Sequence, residues 1–348
     1  MKRIYLDYNA TGPLRPEARS AMIKAFDICG NPSSVHAEGR AAKAVVERAR
    51  AQIAAAFGAD GAEIVFTSGA TEAAALACAG RNLLAADIEH DAVTAWTQVT
   101  LPVGVGGAVE IAEPARSVLQ MANSETGIIQ VLPKRLAVTD ATQALGKLPV
   151  AFNRLNADVA LISAHKIGGP KGVGALLLRR GIDLEARIKG GGQEMGRRAG
   201  TENVVAIAGF GAAAEAAAAD LAAGVWKPVE KIRNILEFAL ETGSDDIIFF
   251  GRESQRLPNT SCFAVPGWKG ETQVMQLDLA GCAISAGSAC SSGKVTASRV
   301  LRAMGHGDVI ASSAVRISLG PTTTEAEVMQ FADIWLRKYE KFRARATQ

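Results

Sequence analysis

Long apolar runs are missing from this chain. No stretch reaches 18 consecutive apolar residues, so nothing in it reads plainly as a membrane span. Charge of one sign is missing too: 38 Lys and Arg against 35 Asp and Glu leave a net +3, too little to argue for a nucleic acid or a membrane surface. Cysteine is scarce and scattered. Cys29, Cys78, Cys262, Cys282 and Cys290 are odd in number and form no Cys-x-x-Cys pair, which argues against a disulfide framework or a metal site and for a reducing cytoplasm. The start, MKRIYLDYNA, lacks the apolar core of a signal peptide. What is present is 348 residues, 48% of them hydrophobic, enough for one large domain and a smaller one.

The chain is organised around residues 158–174. Val159 to Ile162 reads as a buried parallel strand ending at Ser163. His165 and Lys166 stand at its exit, and Gly168, Gly169 and Pro170 break the chain. Ligands of open α/β sheets collect at the carboxyl ends of strands, so Lys166 is a candidate Schiff-base lysine; a surface lysine in a Gly/Pro turn is the plain alternative. Other strand candidates are Glu63–Thr67, Val118–Ala122, Leu136–Thr139 and Val173–Leu178. Their polar ends and short links point to an α/β fold with a mainly parallel sheet flanked by helices. Glu63–Thr67 leads through Ser68-Gly69-Ala70-Thr71 into a helix, a junction suited to a phosphate but without the Gly-Lys-Ser/Thr of a nucleotide loop.

Elsewhere the reading is structural. Asn31-Pro32-Ser33-Ser34 is a turn, and His36 reads as a helix-start residue. The glycine-rich segment Gly190–Thr201 is either mobile or close to a ligand or partner chain. The Ala-rich run from Val204 to Gly224, interrupted by Glu215 and Asp220, reads as a packed helix. A helix over Pro228–Glu241 marks the passage to a smaller α+β domain. The boundaries are then residues 12–224 for a large cofactor-binding domain, with 1–11 and 225–348 forming the small domain that carries the Cys290 loop.

Three parts together suit pyridoxal 5′-phosphate: a strand-end lysine (Lys166), a strand-end carboxylate for the pyridine nitrogen (Asp140) and a helix end for the phosphate. His90 is placed to cover the ring. Cys290, among Ser285-Ala286-Gly287-Ser288-Ala289 and Ser291-Ser292-Gly293, reads as an exposed and reactive thiol, whereas the other four cysteines read as structural.

YLDYNATGP, GNPSSVH, IVFTSGATE, Glu89-His90, NSETG, DATQALGKLP, SAHKIGGPKGVGAL, RRAGTEN, SAGSACSSGK and VRISLG follow one another over nearly the whole length. In this series the chain resembles the cysteine desulfurases of the NifS/IscS type, within the class V aminotransferase family of pyridoxal phosphate enzymes of fold type I. The resemblance implies that Lys166 binds the cofactor covalently, Asp140 pairs with its ring nitrogen, Gln143 contacts the ring hydroxyl and His90 stacks on the ring and assists proton transfer. Ala70, Thr71, Ser163 and His165 hold the phosphate, with Thr201 reaching in from the other subunit of a homodimer. Asn123 supplies a ring contact, and Ser124 stands where the family usually has a second asparagine. Arg316 and Asn31 receive the substrate carboxylate. Cys290 takes sulfur from L-cysteine as a persulfide, releasing L-alanine, and passes it to an acceptor such as an iron–sulfur scaffold protein. Selenocysteine lyase, another class V enzyme, or a non-catalytic shortened homologue are the alternatives. Residues 91–117 and 128–139 look shorter than in the family, and Ala73-Ala74-Ala75 replaces its usual polar residues.

Overall fold

The computed structural model describes residues 3–287 and 297–346. The strands are β1 (Ile4–Tyr5), β2 (Glu63–Thr67), β3 (Leu84–Ala86), β4 (Gln98–Leu101), β5 (Val118–Gln120), β6 (Leu136–Asp140), β7 (Ala157–Ser163), β8 (Gly174–Leu178), β9 (Ile248–Phe249), β10 (Thr260–Ala264), β11 (Cys282–Ala283), β12 (Ser285–Ala286) and β13 (Ala314–Ser318). The helices are α1 (Pro16–Phe26), α2 (Ala37–Ala56), α3 (Ala70–Cys78), α4 (Asp91–Thr94), α5 (Val204–Ala222), α6 (Trp226–Thr242), α7 (Gly270–Leu279), α8 (Arg299–Ala303), α9 (Asp308–Ser313) and α10 (Glu325–Ala346).

The larger sheet has the order β2-β8-β7-β6-β5. β5, β6 and β7 are parallel, while β8 runs antiparallel to both β7 and β2. The parallel pair β3–β4 joins this sheet through a bridge between Leu84 and Ser117. The sheet is therefore mainly parallel as expected, with β8 reversed. Only ten residues separate β7 from β8, too few for the crossover that a parallel neighbour needs.

The near-continuous apolar run of β7 follows from cover on both faces. Ala160 and Ile162 pack with Ile53 of α2 and Phe210 of α5, whereas Val159 and Leu161 pack with Ala73 and Ala77 of α3. α5 is long and apolar enough to cross a membrane by composition. Here it lies against α1 and α2, so close that a Cβ on Gly211 would sit 2.7 Å from Ala49 Cα.

The second sheet, β12-β13-β10-β9, is antiparallel and has its own core of Phe263, Trp268, Phe331 and Trp335. Ile4 and Leu6 belong to that core, because β1 pairs with β11 and Asp7 bridges to Ser318. The chain then crosses to the larger sheet, where Gly12 N donates to His165 O at 2.8 Å. β9 and α9 carried no sequence signal of their own: two and six residues are too short for a period to emerge.

Residues 91–117 hold only a four-residue helix, an edge strand and one 3-10 turn, and no helix lies between β5 and β6. β4 is left largely exposed, with Val99 and Trp96 at the surface. Cys78, Cys262 and Cys282 are buried, but Cys29 is exposed just past α1, so the structural reading of that cysteine is corrected.

Candidate active site

β7 delivers Lys166. At Ser163 the backbone tightens into a 3-10 turn over Ala164–Ile167, and Gly168 ends it at φ 79°, a conformation that favours glycine. Lys166 Nζ donates to Asn9 O at 2.6 Å and to Ala10 O at 2.9 Å. Asp140 closes the neighbouring strand β6, beside Leu161 of β7, so carboxylate and amine emerge at one sheet edge. Both line a cavity of about 580 Å³, together with His90, Gln143, Ser163, His165 and Arg316. Asp140 Oδ1 accepts from Thr142 N at 2.8 Å, which fixes the carboxyl plane.

The cavity also reaches Ser68, Gly69, Ala70 and Thr71 at the start of α3. No side chain caps that terminus, so its first N–H groups and the positive end of the helix dipole face an open pocket. Arg198 and the Ser68 N–H hold Glu72 back from it and below the usual carboxylate range against the opposing effect of its burial. His165 is pushed down to about 4 by burial and by the adjacent Lys166 and Lys171, and is a neutral imidazole at neutral pH.

His90 is the N-cap of α4. Its Nδ1 accepts from Ala92 N at 3.0 Å, so the neutral ring carries its proton on Nε2. His36 also caps, accepting from Gly39 N at 3.3 Å, which is the helix-start role read from the sequence.

Arg316 comes from β13, so both sheets build the cavity. It is 2% exposed, and donates to Asp7 Oδ1 at 2.7 Å, Ser285 Oγ at 3.0 Å and Ser124 O at 3.0 Å. Among the described residues its Nε is buried without a hydrogen-bond partner, as are the hydroxyls of Thr11 and Thr142 on the same cavity wall.

The other expected residues lie elsewhere. Asn123 is buried with both polar atoms engaged: Oδ1 accepts from the N–H groups of Glu125 and Thr126, and Nδ2 donates to Ile88 O. It shapes the 123–127 turn and does not line the cavity, whereas Gln120 and Ser124 do. Asn31 and Thr201 are exposed and do not line the cavity of their own chain. The segment before Thr201 is anchored: Glu194, at φ 48°, accepts two bonds from Arg50 at 2.9 and 3.0 Å and one from Phe66 N at 2.8 Å. Cys290 lies outside the described residues.

Two residues were missed although the motifs containing them were seen. Asn9, in YLDYNATGP, is 1% exposed and bonds to both halves of the site; Lys147, in DATQALGKLP, is 4% exposed and donates to Asn9 and Gln143. An asparagine among glycine, proline and threonine reads as a turn residue, and a lysine as surface, until the fold encloses them.

The aminotransferase class-V family profile matches residues 4–331. This chain belongs to the class-V aminotransferase family. Among its class-V relatives, the cysteine desulfurase IscS of Dictyoglomus turgidum is 36% identical over 384 positions, covering 99% of this chain and 96% of that protein. A cysteine desulfurase of Cereibacter sphaeroides is 39% identical, covering 96% and 95%. The structure of a NifS-like protein from Rickettsia africae superposes with a TM-score of 0.88 at 30% identity, over 97% of this chain and 99% of that one. An alignment of 384 positions is longer than the 348-residue chain, so the Dictyoglomus class-V protein carries residues absent here.

Proposed function

We propose that the protein is a cysteine desulfurase that uses pyridoxal 5′-phosphate, converting L-cysteine to L-alanine and holding the sulfur as a persulfide on Cys290. The observation that carries this reading is the joint placement of Lys166, Asp140 and Arg316 on one cavity beside the uncapped start of α3. Full-length relatives named cysteine desulfurase support it, as does the structure of SspA in complex with cysteine, 27% identical with a TM-score of 0.74.

The residues present fit the cofactor. Lys166 is the amine for its aldehyde and Asp140 the partner of its ring nitrogen. Ala70, Thr71, Ser163 and His165 are the phosphate's neighbours, with Thr201 supplied by a second subunit. Bound there, the cofactor supplies an electron sink for the substrate's α-carbon. Arg316 is the proposed partner of the substrate carboxylate, with the Asp7 ion pair holding the guanidinium in place. Asn31, which does not line the cavity of its own chain, keeps its proposed carboxylate contact only if, like Thr201, it is supplied by a second subunit; its Oδ1 accepts from Ser33 N. The Lys166 amine, once released, has the Asn9 and Ala10 carbonyls to return to and can carry a proton at Nζ. His90 presents Nε2–H for proton transfer. The Cys290 thiolate attacks the substrate sulfur: a sulfur–sulfur bond forms, the carbon–sulfur bond breaks with its electron pair left on carbon, and protonation of that carbon gives alanine. The persulfide then serves an acceptor thiol or an iron–sulfur scaffold protein. A homodimer, a cytoplasmic setting and a division at residues 12–224 complete the proposal.

The test is absorbance and alanine release with L-cysteine, on the wild type and Cys290→Ala. Wild type should be yellow and release alanine; Cys290→Ala should stay yellow and lose turnover. Full turnover in Cys290→Ala removes the persulfide step. No alanine from cysteine, with another amino acid altering the spectrum, removes the substrate assignment.

A further inference from the structure

A second amine is enclosed next to Lys166. Lys147 Nζ donates to Asn9 Oδ1 at 2.9 Å and to Gln143 Oε1 at 2.7 Å, and both acceptors are uncharged amide oxygens. The charges that act on it are those of Lys166 and Arg316, both positive. Lys147 and Lys166 also share the wall of a second cavity of about 310 Å³, where Arg15 pairs with Asp220 at 2.6 Å and Tyr8 and Glu17 stand nearby.

The two bonds from Lys147 settle which way the amides face. An amine donor can use only the oxygen of an amide. Oε1 of Gln143 must therefore point at Lys147, leaving Nε2 to donate to the Asn9 carbonyl at 2.9 Å. In the same way Oδ1 of Asn9 is fixed, and its Nδ2 donates to Thr260 Oγ1 at 2.9 Å and Ser124 O at 3.2 Å. The Asn9 carbonyl that receives Gln143 also receives Lys166 at 2.6 Å.

We propose that Lys147 is a positioning residue for Lys166, orienting Gln143 and Asn9 so that the Asn9 carbonyl stands where the Lys166 amine comes to rest. The inference rests on the role assigned to Lys166 above. Among the described residues Lys147 Nζ has two acceptors, which match the two N–H donors of a neutral amine; an ammonium would bury a third donor beside Lys166 and Arg316. Burial, then Lys166 and Arg316, drive the Lys147 pKa well below its usual value. Lys147 gives the network its direction through its two bonds to amide oxygens.

The test is the reactivity of Lys166 in full-length protein freed of cofactor. Lys147→Met keeps the length of the side chain and removes both donors; Lys147→Gln keeps an amide donor and serves if the first variant does not fold. Each is acylated with trace acetic anhydride between about pH 6 and about pH 10, and Lys166 labelling is measured by mass spectrometry against a surface lysine. In Lys147→Met the Lys166 labelling rate should change at least about threefold, or its midpoint move by about half a pH unit, with Lys147→Gln intermediate. Superimposable Lys166 curves in wild type and a folded variant overturn the inference. A wild type that makes no alanine from L-cysteine overturns the functional reading instead, and leaves the labelling result standing by itself.

Discussion

Arg316 shows how little slack the site allows a single residue. It is buried, three of its contacts are taken by Asp7, Ser285 and Ser124, and its Nε has no partner among the described residues. A lysine there offers one point charge where the guanidinium offers a planar fork. Arg316→Lys should raise KM for L-cysteine about 10- to 100-fold, the loss of one charged hydrogen bond, with a smaller change in kcat; steady-state alanine release measures both. Glu89 is a second enclosed group. Its Oε1 accepts from Gln120 N at 2.8 Å, its Oε2 has no partner among the described residues, and burial chiefly, then Asp140, pushes its pKa up to about 8 from 4.5. A raised carboxyl pKa contributes stability that is full below about 4.5 and lost as pH rises through about 8. Glu125, pushed up to about 7 by burial against the opposing bond from Ser298, acts in the same direction over a narrower window. Melting temperatures from pH 5 to 8 should therefore fall in the wild type and fall less in Glu89→Gln.

At the scale of elements, β2, β6 and β7 were legible because a strand covered on both faces must be apolar throughout and can turn polar only where it leaves the sheet. That rule also put Lys166 and Asp140 at strand ends. It does not reveal direction, because an antiparallel buried strand has the same composition as a parallel one; the reversal of β8 is signalled only by the ten-residue link from β7. The loop before Thr201 was left open between mobility and contact, and its anchor proved to be Glu194 on Arg50, residues 144 apart with no shared pattern. Helix packing gives a sharper expectation. Gly211 of α5 lies where any side chain would enter Ala49 of α2. Gly211→Val should cost about 1–3 kcal/mol by overpacking, read from urea denaturation followed by circular dichroism.

At the scale of the whole molecule, the two sheets are tied through Asn9. Its N–H donates to Ser318 Oγ, its Oδ1 accepts from Lys147 and Asn259, its Nδ2 donates to Thr260, and its carbonyl accepts from Lys166 and Gln143. Ser318 and Thr260 belong to the second sheet, whereas Lys166, Gln143 and Lys147 follow strands of the first. Asn9→Ala should leave several buried partners unsatisfied at about 1–3 kcal/mol each, lowering the unfolding midpoint well beyond a surface substitution and disturbing the Lys166 amine. An unchanged midpoint would show that the sheets are held together elsewhere.

The sequence by itself determined the family, the type of chemistry and which side chains, Lys166 and Asp140 among them, stand at strand ends, because each motif is local and the motifs come in a fixed order. Tertiary structure alone decided that Asn123 turns away from the cavity, that Lys147 and Glu89 are enclosed, and that Asn9 joins the halves. Those facts depend on which buried donors and acceptors meet across more than a hundred residues, and hydrogen-bond satisfaction in a closed interior leaves no periodic trace along the chain.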